Sequence, residues 1–380
     1  METTQKGPKV KVEVKAAGTD AWQEIKCWRQ ILRIKRGESE RTMRKEDGMR
    51  TRYGASILLM IVCVAWSGLV WFPLTAHAQP KEFRLCHNSN IDQDTDKASR
   101  KFAELVEKKT GGQIKVVIYP RNQLGSNREL LEQVKLGSLE MTLMGLGTMG
   151  YMVEEYNFMQ IPFAFRSQSH FHSVLDSDVG KAIEKSVGSK GFVLLSQKWD
   201  RLPRHLAGKK PVQKMEDLKG LKIREGTPAF HEGIKLYGAS PVKIDLNEMY
   251  IALQQGVVDS VELPLDYIFD YSIHEAGKFL SLTYHTYGTQ FVAINKAIFE
   301  GLSPANQKAL LEAAKEGAEY NNRLTWSQED DYMKKLEKAG VKINKPEFSQ
   351  FVKVLEANIG TLEKKWPACK GLFAKIQAVK

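Results

Sequence analysis

The sequence predicts an α/β fold that consists of two similarly built lobes. Short strands with alternating apolar residues are followed by amphipathic helices in the order β-α-β-α-β, which is typical of a mostly parallel sheet with helices on its faces. This order occurs twice, each time around a glycine that ends a helix, Gly137 and Gly256. The 380 residues are enough for two separate hydrophobic cores.

In the first passage, the helix boundaries follow from residues that commonly begin helices. Asp96 or a neighbouring residue is expected to cap the first helix, and Ser126 with Glu129 forms the capping-box pattern of the second helix. The expected strands are 83–87, 114–118 and 139–144, and the expected helices end at Lys109 and Leu136.

The second passage follows the same rules. Residues 221–224 alternate between apolar and basic side chains, which predicts a short strand that ends at Arg224. Thr227-Pro228 is the pattern of an N-cap followed by proline at the first helical position. Asp245 with Glu248 predicts another capping box. The expected strands are 221–224, 241–244 and 257–261, and the expected helices are 228–237 and 245–255.

The remainder of the chain is predicted to be helical. Residues 265–279 hold many aromatic side chains and are long enough to cross between the lobes. Ser303-Pro304 predicts the start of a helix that runs past Tyr320, and further helices are expected at 333–338 and 348–362.

No Pro/Ser-rich linker interrupts residues 79–380, so several crossings are expected to join the lobes. Lobe I is predicted to comprise residues 79–203 plus 288–330. Lobe II is predicted to comprise residues 204–287 plus 331–380.

A secretory signal peptide is predicted at residues 49–78. Its basic start is 49–52, its apolar segment is 53–72, and Ala76-His77-Ala78 is a small-x-small cleavage site that gives a mature start at Gln79. An uncleaved membrane anchor is the alternative. Residues 1–48 are interpreted as an over-long start, which means that they precede the true initiator methionine. A disordered cytoplasmic extension is the alternative.

Charge and cysteine content exclude several classes of function. The net charge is +11, but residues 79–380 hold 42 basic against 37 acidic side chains and no long basic run, which makes nucleic acid a poor partner. Only Cys86 and Cys369 lie beyond the predicted cleavage point. This number excludes a scaffold of several disulfides and a cysteine metal site, and it leaves a pairing of the two thiols open.

Glycines at 145, 147 and 150 match a dinucleotide-binding fingerprint by spacing, but we reject that interpretation. The following residues make a poor amphipathic helix, and no strand that ends in an acidic residue follows some twenty residues later. The loop is interpreted as one that lets a small ligand or the opposite lobe approach closely. His170 and His172 are expected to be surface or packing residues and not a metal pair.

Arg224 is the principal candidate for ligand binding. It ends a strand just before a helix, at the edge of the sheet where α/β proteins bind ligands, and its guanidinium offers a fork of donors to a carboxylate. Arg201 and Arg204 are two further guanidiniums, of which one is expected to join Arg224. Solvated or surface-paired arginines are the alternative. Glu262 and Asp259 form a candidate acid/base pair, but a hinge or ligand-orienting role is preferred for Glu262.

Several of these residues belong to short sequence motifs that follow one another along the chain. They are 101–107, 110–116, 119–120, 123–129, 161–166, 217–224, 252–259 and 295–296. In this order, the chain closely resembles the DctP-type periplasmic solute-binding subunits of tripartite ATP-independent periplasmic (TRAP) transporters over nearly all of residues 82–340. The resemblance implies a two-lobed periplasmic binding protein of the Venus-flytrap type, with a helix that lies across both lobes.

The resemblance also implies roles for individual residues. Arg224 takes the place of the family's carboxylate clamp and Arg204 that of its frequent partner, while Asn88 and Gly145 fall where family members line the cleft. Leu263 replaces the asparagine of a frequent Glu-Asn-Pro motif, which favours an aromatic or branched-chain acid over a sugar acid. Glu262 and Tyr267 complete the candidate ligand-binding residues.

The sequence therefore predicts an exported, non-enzymatic binding protein that passes a small carboxylate to a TRAP membrane permease. No cofactor, metal or nucleic acid is expected, and the protein is expected to be a monomer, with a dimer as the alternative. A periplasmic enzyme that uses Glu262 and Asp259 is the rival hypothesis. A receptor ectodomain is a weaker one, since it requires an uncleaved apolar segment.

Overall fold

The computed structural model of the protein describes residues 79–347 and 349–380, which belong to one compact unit. The predicted signal peptide at 49–78 and the predicted over-long start at 1–48 lie outside the described residues. Within the described ranges, no helix combines the length and the apolar composition that a membrane span requires.

The described residues form two β-sheets, which confirms the predicted α/β class. The strands are β1 (Lys81–His87), β2 (Ile114–Tyr119), β3 (Met141–Gly145), β4 (Phe192–Asp200), β5 (Arg204–Gly208), β6 (Lys222–Glu225), β7 (Ser240–Lys243), β8 (Ser260–Pro264), β9 (Phe279–Thr286), β10 (Thr289–Asn295) and β11 (Lys342–Asn344). The first sheet has the order β2-β1-β3-β10-β4, with β1, β2 and β3 parallel and β10 antiparallel to both of its neighbours. The second sheet has the order β11-β9-β5-β8-β6-β7.

Helices connect and cover these strands. They are α1 (Asp94–Lys109), α2 (Asn127–Leu136), α3 (Glu155–Phe158), α4 (Gln168–Asp176), α5 (Asp178–Gly188), α6 (Pro228–Leu236), α7 (Met249–Gln255), α8 (Leu265–Asp270), α9 (Ile273–Ala276), α10 (Lys296–Glu300), α11 (Pro304–Lys338), α12 (Ser349–Lys365) and α13 (Leu372–Ala378). Both faces of the first sheet are buried, because Met144 and Phe291 belong to one apolar cluster and Leu143 and Val292 belong to another.

Side-chain caps fix the start of three helices where the sequence predicts them. Ser126 and Glu129 form a capping box at α2. The Thr227 hydroxyl accepts a hydrogen bond from the backbone N–H of Phe230 at α6, and Ser303 caps α11 in the same way. Each cap satisfies an amide that the first helical turn leaves without a partner.

Two predicted caps are wrong. The Asp245 side chain makes no cap hydrogen bond, because the chain first forms a 3-10 turn at Leu246–Glu248 whose spacing differs from that of an α-helix. Asp96 does not begin α1, for which Gln93 is the N-cap residue. The Asp96 carboxylate instead binds the buried ring of His87.

The long spanning helix is α11, with 35 residues. Leu310 belongs to the apolar cluster beside the first sheet, and Leu336 belongs to the cluster beside the second sheet, so α11 spans both lobes. The expectation that residues 265–279 make this crossing is wrong. That segment divides into α8 and α9 because Ser272 adopts a left-handed conformation, with φ of 55°.

The C-terminal residues differ from the predicted division of the lobes. Strand β11 pairs with β9 in the second sheet, as the assignment of residues 331–380 to lobe II requires. Trp366 and Ile376, however, belong to the core of lobe I, where Trp366 packs edge-on against Phe158 at 6.1 Å between ring centroids. These residues are distant from lobe I in sequence, but they pack there because the burial of their apolar surface is favourable. The boundaries at 203/204 and 287/288 stay a prediction.

Candidate functional site

Residues from both lobes line a common cavity. All seven candidate residues line it, namely Asn88, Gly145, Arg204, Arg224, Glu262, Leu263 and Tyr267. The cavity brings together loops that follow strands of the first sheet and residues on three strands of the second sheet, so the fold assembles it from distant parts of the chain.

Arg224 lies on β6 with 6% of its surface exposed. Its Nε donates a hydrogen bond to the carbonyl oxygen of Ile244 at 2.8 Å. Among the described residues, no carboxylate lies within 4.0 Å of the guanidinium, and its Nη atoms have no hydrogen-bond partner. Burial lowers the pKa of Arg224, and the charge of Glu262 opposes this shift. The outer edge of this buried cation is therefore available to an anion.

Gly226 is required where the Arg224 side chain turns back over the backbone. A Cβ atom at residue 226 would lie 2.7 Å from Arg224 Nη1 and 3.0 Å from its Cζ. These distances are shorter than van der Waals contact, so the absence of a side chain lets the guanidinium lie against the backbone.

Arg204 is held by Glu262. Arg204 Nη2 donates hydrogen bonds to Glu262 Oε1 at 2.8 Å and to the Glu262 carbonyl oxygen at 2.7 Å, while Nε donates to Oε2. The Arg204 Cζ lies 4.7 Å from the centroid of the Phe230 ring. Only Nη1 of Arg204 remains without a hydrogen-bond partner among the described residues.

Glu262 stays ionised although it is buried. Burial acts to raise its pKa, but the charge of Arg204, the hydrogen bonds from Arg204 and the His285 ring, whose Nε2 lies 3.7 Å from Glu262 Oε2, leave the pKa below its ordinary value. The sequence places Glu262 at the end of a strand, whereas it lies within β8, opposite Leu206 of β5. The candidate acid/base pair is not formed in the cavity, because Asp259 lies outside the lining and accepts a hydrogen bond from the Lys222 backbone N–H at 2.9 Å.

Asn88 and Tyr267 join the two lobes beside the cavity. The Tyr267 hydroxyl donates a hydrogen bond to Asn88 Oδ1 at 3.2 Å and lies 3.0 Å from Ser89 Oγ. The Tyr271 hydroxyl donates to the Asn88 carbonyl oxygen at 2.7 Å. Burial raises the pKa of Tyr267, so this hydroxyl stays protonated at neutral pH.

Arg201 also lines the cavity, although it is absent from the seven candidates. Its Cζ lies 4.5 Å from the centroid of the Tyr267 ring. A Cβ atom at Gly145 would lie 3.0 Å from Arg201 Nη1. The sequence offers Arg201 and Arg204 as two guanidiniums in one short segment, and both of them reach the cavity.

The glycine-rich loop after β3 forms a 3-10 helix at Leu146–Tyr151. A Cβ atom at Gly147 would lie 2.6 Å from Gln160 Cγ, and one at Gly150 would lie 2.3 Å from Asn157 Oδ1. The close approach is therefore made by side chains of the same lobe. Gly147 and Gln160 both line the cavity.

Within the described ranges, no group of three or more His, Cys, Asp or Glu side chains is placed to hold a metal ion. Cys86 and Cys369 are both buried free thiols. His170 packs between Arg166 and Ile376, and His172 pairs with Asp200 at 2.6 Å.

Two lobes around an arginine-lined cavity define a solute-binding protein. The sequence model of bacterial extracellular solute-binding protein family 7, DctP, matches residues 87–365. The chain belongs to this family, whose members are transport proteins.

Similar proteins include the 2,3-diketo-L-gulonate-binding periplasmic protein YiaO of Escherichia coli, 31% identical over 73% of this chain and 84% of that protein. The C4-dicarboxylate-binding periplasmic protein DctP of Rhodobacter capsulatus is 28% identical over 70% and 80%, respectively. A crystal structure of a TRAP periplasmic solute-binding protein from Roseobacter denitrificans with bound β-D-glucuronate has a TM-score of 0.76. It is 30% identical and is matched over 79% of this chain and 100% of that one.

Proposed function

We propose that this protein captures a small organic carboxylate in the cavity and delivers it to a TRAP-type membrane permease. The observation that carries the proposal is the buried guanidinium of Arg224, which has no carboxylate within 4.0 Å among the described residues. A buried charge without a partner is costly, and an anionic ligand removes that cost. The similar proteins described above are named for, or hold, sugar acids and dicarboxylates.

The residues of the cavity take different roles in this proposal. Arg224 binds the ligand carboxylate through its Nη atoms, as a bidentate pair. Arg204 contributes Nη1, because Glu262 occupies its other donors and fixes its orientation. Asn88 and Tyr267 tie the two lobes together beside the ligand, so closure around the solute completes the site.

The proposal includes no chemical conversion of the ligand. Glu262 is held by Arg204, and Asp259 lies outside the cavity, so the rival enzyme lacks its acid/base pair. The proposal also includes export after cleavage behind Ala78, a monomeric state and the permease as partner. The family's periplasmic relatives support the location.

Native mass spectrometry of the protein purified from the periplasm tests the proposal by identifying the co-purified small molecule. Calorimetry with that molecule, and with D-glucuronate and succinate as probes, then compares the wild-type protein with Arg224→Gln. We expect an affinity loss of about 100-fold or more, because two charge-assisted hydrogen bonds are removed.

Arg84→Gln is the matched control, because Arg84 also lies on a strand but pairs with Glu140 outside the cavity. It should bind as the wild-type protein does. Undiminished binding by Arg224→Gln would show that the carboxylate is held elsewhere.

A further inference from the structure

The end of the second sheet that lies away from the cavity is rich in lysine. Every strand of this sheet begins or ends there, and the paired residues at this end form a continuous row across the sheet. We call this end the distal face, and it consists of residues 208–210, 219–222, 238–240, 256–260, 277–279 and 339–342. Arg204, in contrast, pairs with Pro264 and Thr286 at the opposite end, where the cavity lies.

The distal face has a large excess of positive charge. Its acidic side chain is Asp259, and its six basic side chains are all exposed, namely Lys209, Lys210, Lys219, Lys222, Lys278 and Lys342. Residues 79–380 together hold 42 basic and 37 acidic side chains, so the distal face accounts for their whole excess of positive charge. The rest of residues 79–380 is therefore balanced in formal charge.

The protein does not neutralise these lysines by direct contact. Among the described residues, no carboxylate oxygen lies within 4.0 Å of any of the six ammonium groups. Asp259 instead accepts a hydrogen bond from the Lys222 backbone N–H. Further charged residues flank the distal face in sequence, namely Glu216, Asp217, Glu275 and Glu337 together with Lys214 and Lys338. The six lysines therefore have no directly bound counter-charge.

Helix capping explains part of this arrangement. Lys209 and Lys222 donate hydrogen bonds to backbone carbonyl oxygens at the end of α7, and Lys278 donates to one at the end of α11, at distances of 2.9 to 3.3 Å. A cation at a helix C-terminus is favourable in itself. The other three ammonium groups make no hydrogen bond within the part of the chain that the structure describes. Capping therefore leaves half of the lysines without an explanation.

The composition of the distal face favours a lipid surface over a protein or a nucleic acid. It contains no arginine, and Phe279 is its one aromatic residue. Interfaces between proteins are enriched in arginine and aromatic residues and depleted in lysine. Nucleic acids are commonly bound through arginine and through stacked aromatic rings. Attraction between clustered ammonium groups and an anionic membrane requires neither of them, because it is electrostatic and needs no fixed geometry.

We propose that the distal face binds the anionic headgroups of a phospholipid membrane. Val257 supplies an exposed apolar side chain to this face, which is too little apolar surface for insertion into a bilayer. The association is therefore electrostatic and reversible. It concentrates the protein at the membrane surface and uses none of the residues that line the cavity.

Sedimentation with lipid vesicles tests this proposal. The protein purified from the periplasm is mixed with vesicles of phosphatidylcholine alone, or of phosphatidylcholine and phosphatidylglycerol in equal parts. We expect binding to the anionic vesicles to be at least about tenfold stronger than to the neutral ones. That binding should weaken by about tenfold or more between roughly 50 and roughly 300 mM salt, because salt screens exposed charges.

A triple variant with Lys210→Gln, Lys219→Gln and Lys342→Gln removes half of the lysines and none of the helix caps. Its affinity for anionic vesicles should fall by about 10- to 100-fold, since each lysine near an anionic membrane contributes a factor of about five. Replacement of the same three lysines by arginine should preserve the binding, because the charge is kept. Should the triple glutamine variant not fold, Lys210→Gln alone takes its place, with an expected loss of about fivefold.

The matched control is a triple variant with Lys108→Gln, Lys115→Gln and Lys190→Gln. These lysines are also exposed and, within the described ranges, have no carboxylate oxygen within 4.0 Å, but they belong to α1, β2 and the loop after α5. The control loses the same amount of charge and should bind anionic vesicles as the wild-type protein does.

Equal binding to neutral and anionic vesicles, or an equal loss in the two triple glutamine variants, would overturn the role of the distal face. Binding of the wild-type protein to random-sequence duplex DNA or to poly-glutamate that is as strong as its binding to anionic vesicles would overturn the choice of a lipid partner. Neither result bears on the proposed function, which depends on Arg224 at the opposite end of the sheet.

Discussion

Glu262 binds Arg204 through its carboxylate and its backbone carbonyl oxygen, so the protein itself neutralises one arginine of the cavity. Arg224 lies on β6, the strand next to the one that carries Glu262, and has no such partner within 4.0 Å among the described residues. Two arginines that look alike in the sequence therefore differ in their electrostatic state. One is fixed before the ligand arrives, and the other is free to bind it.

Replacement of Glu262 by glutamine should destabilise the protein by about 3 kcal/mol, because it leaves the mostly buried Arg204 without a counter-charge. Urea denaturation of the two proteins measures this difference in the free energy of unfolding. Glu140→Gln is the control, since its partner Arg84 is far more exposed, and it should cost about 1 kcal/mol or less. Equal losses in the two variants would contradict the prediction.

Gly226→Ala should weaken ligand binding by about tenfold or more while the fold persists, because the new Cβ atom would displace the Arg224 guanidinium and disturb a charge-assisted contact. Calorimetry with the co-purified molecule measures the change. Gly360→Ala in α12 is the control: no heavy atom lies within 4 Å of the added Cβ, and alanine favours the helix. Wild-type affinity in Gly226→Ala would be inconsistent with this packing.

Asp96 should make stability depend on pH in the acidic range. Burial acts to raise its pKa, but hydrogen bonds with His87, Arg100 and the Asp92 backbone N–H outweigh this and lower the pKa to about 2. A lowered folded-state pKa stabilises the protein above the ordinary value near 4, and that contribution of about 2 kcal/mol is lost as the pH falls towards 2. Urea denaturation between pH 6 and pH 2 should show this loss.

In Asp96→Asn, the acid-dependent part of the stability should largely disappear. Glu104→Gln provides the comparison, because Glu104 is exposed and its removal should leave the pH profile unchanged. An unchanged slope in Asp96→Asn would assign the acid sensitivity to other carboxylates.

Cys86 and Cys369 should be unreactive in the folded protein. Burial raises the pKa of both thiols, that of Cys369 to about 12, and only the thiolate reacts readily. We expect no labelling of either thiol by an aromatic disulfide reagent in native buffer and labelling of both in urea. The unfolding midpoint should not change with reductant, and a mass two daltons lower without reductant would instead indicate a disulfide.

Elements controlled by neighbouring residues were predictable from the sequence. Ser126, Thr227 and Ser303 begin helices because their side chains reach amides three residues ahead. The wrong assignment of the C-terminal residues to one lobe, in contrast, results from distant contacts. Trp366 packs on Phe158 of the other lobe, and no local pattern encodes that choice.

The same distinction holds for the site. All seven candidate residues line the cavity, since strand ends and a resemblance in sequence identify them, but their roles in binding stay a prediction. Arg201 was not chosen as a ligand-binding residue, because the orientation of its side chain is set by Tyr267 and Gly145, which are distant in sequence. The internal pairing of Arg204 likewise depends on β5 lying beside β8.

Helix α11 supplies Leu310 to one core and Leu336 to the other. The hydrophobic core of each lobe therefore includes side chains from one helix that both lobes share. Neither lobe should fold in isolation, and both should unfold together in one cooperative transition on heating. A substitution that disrupts this helix at any point should therefore destabilise both lobes.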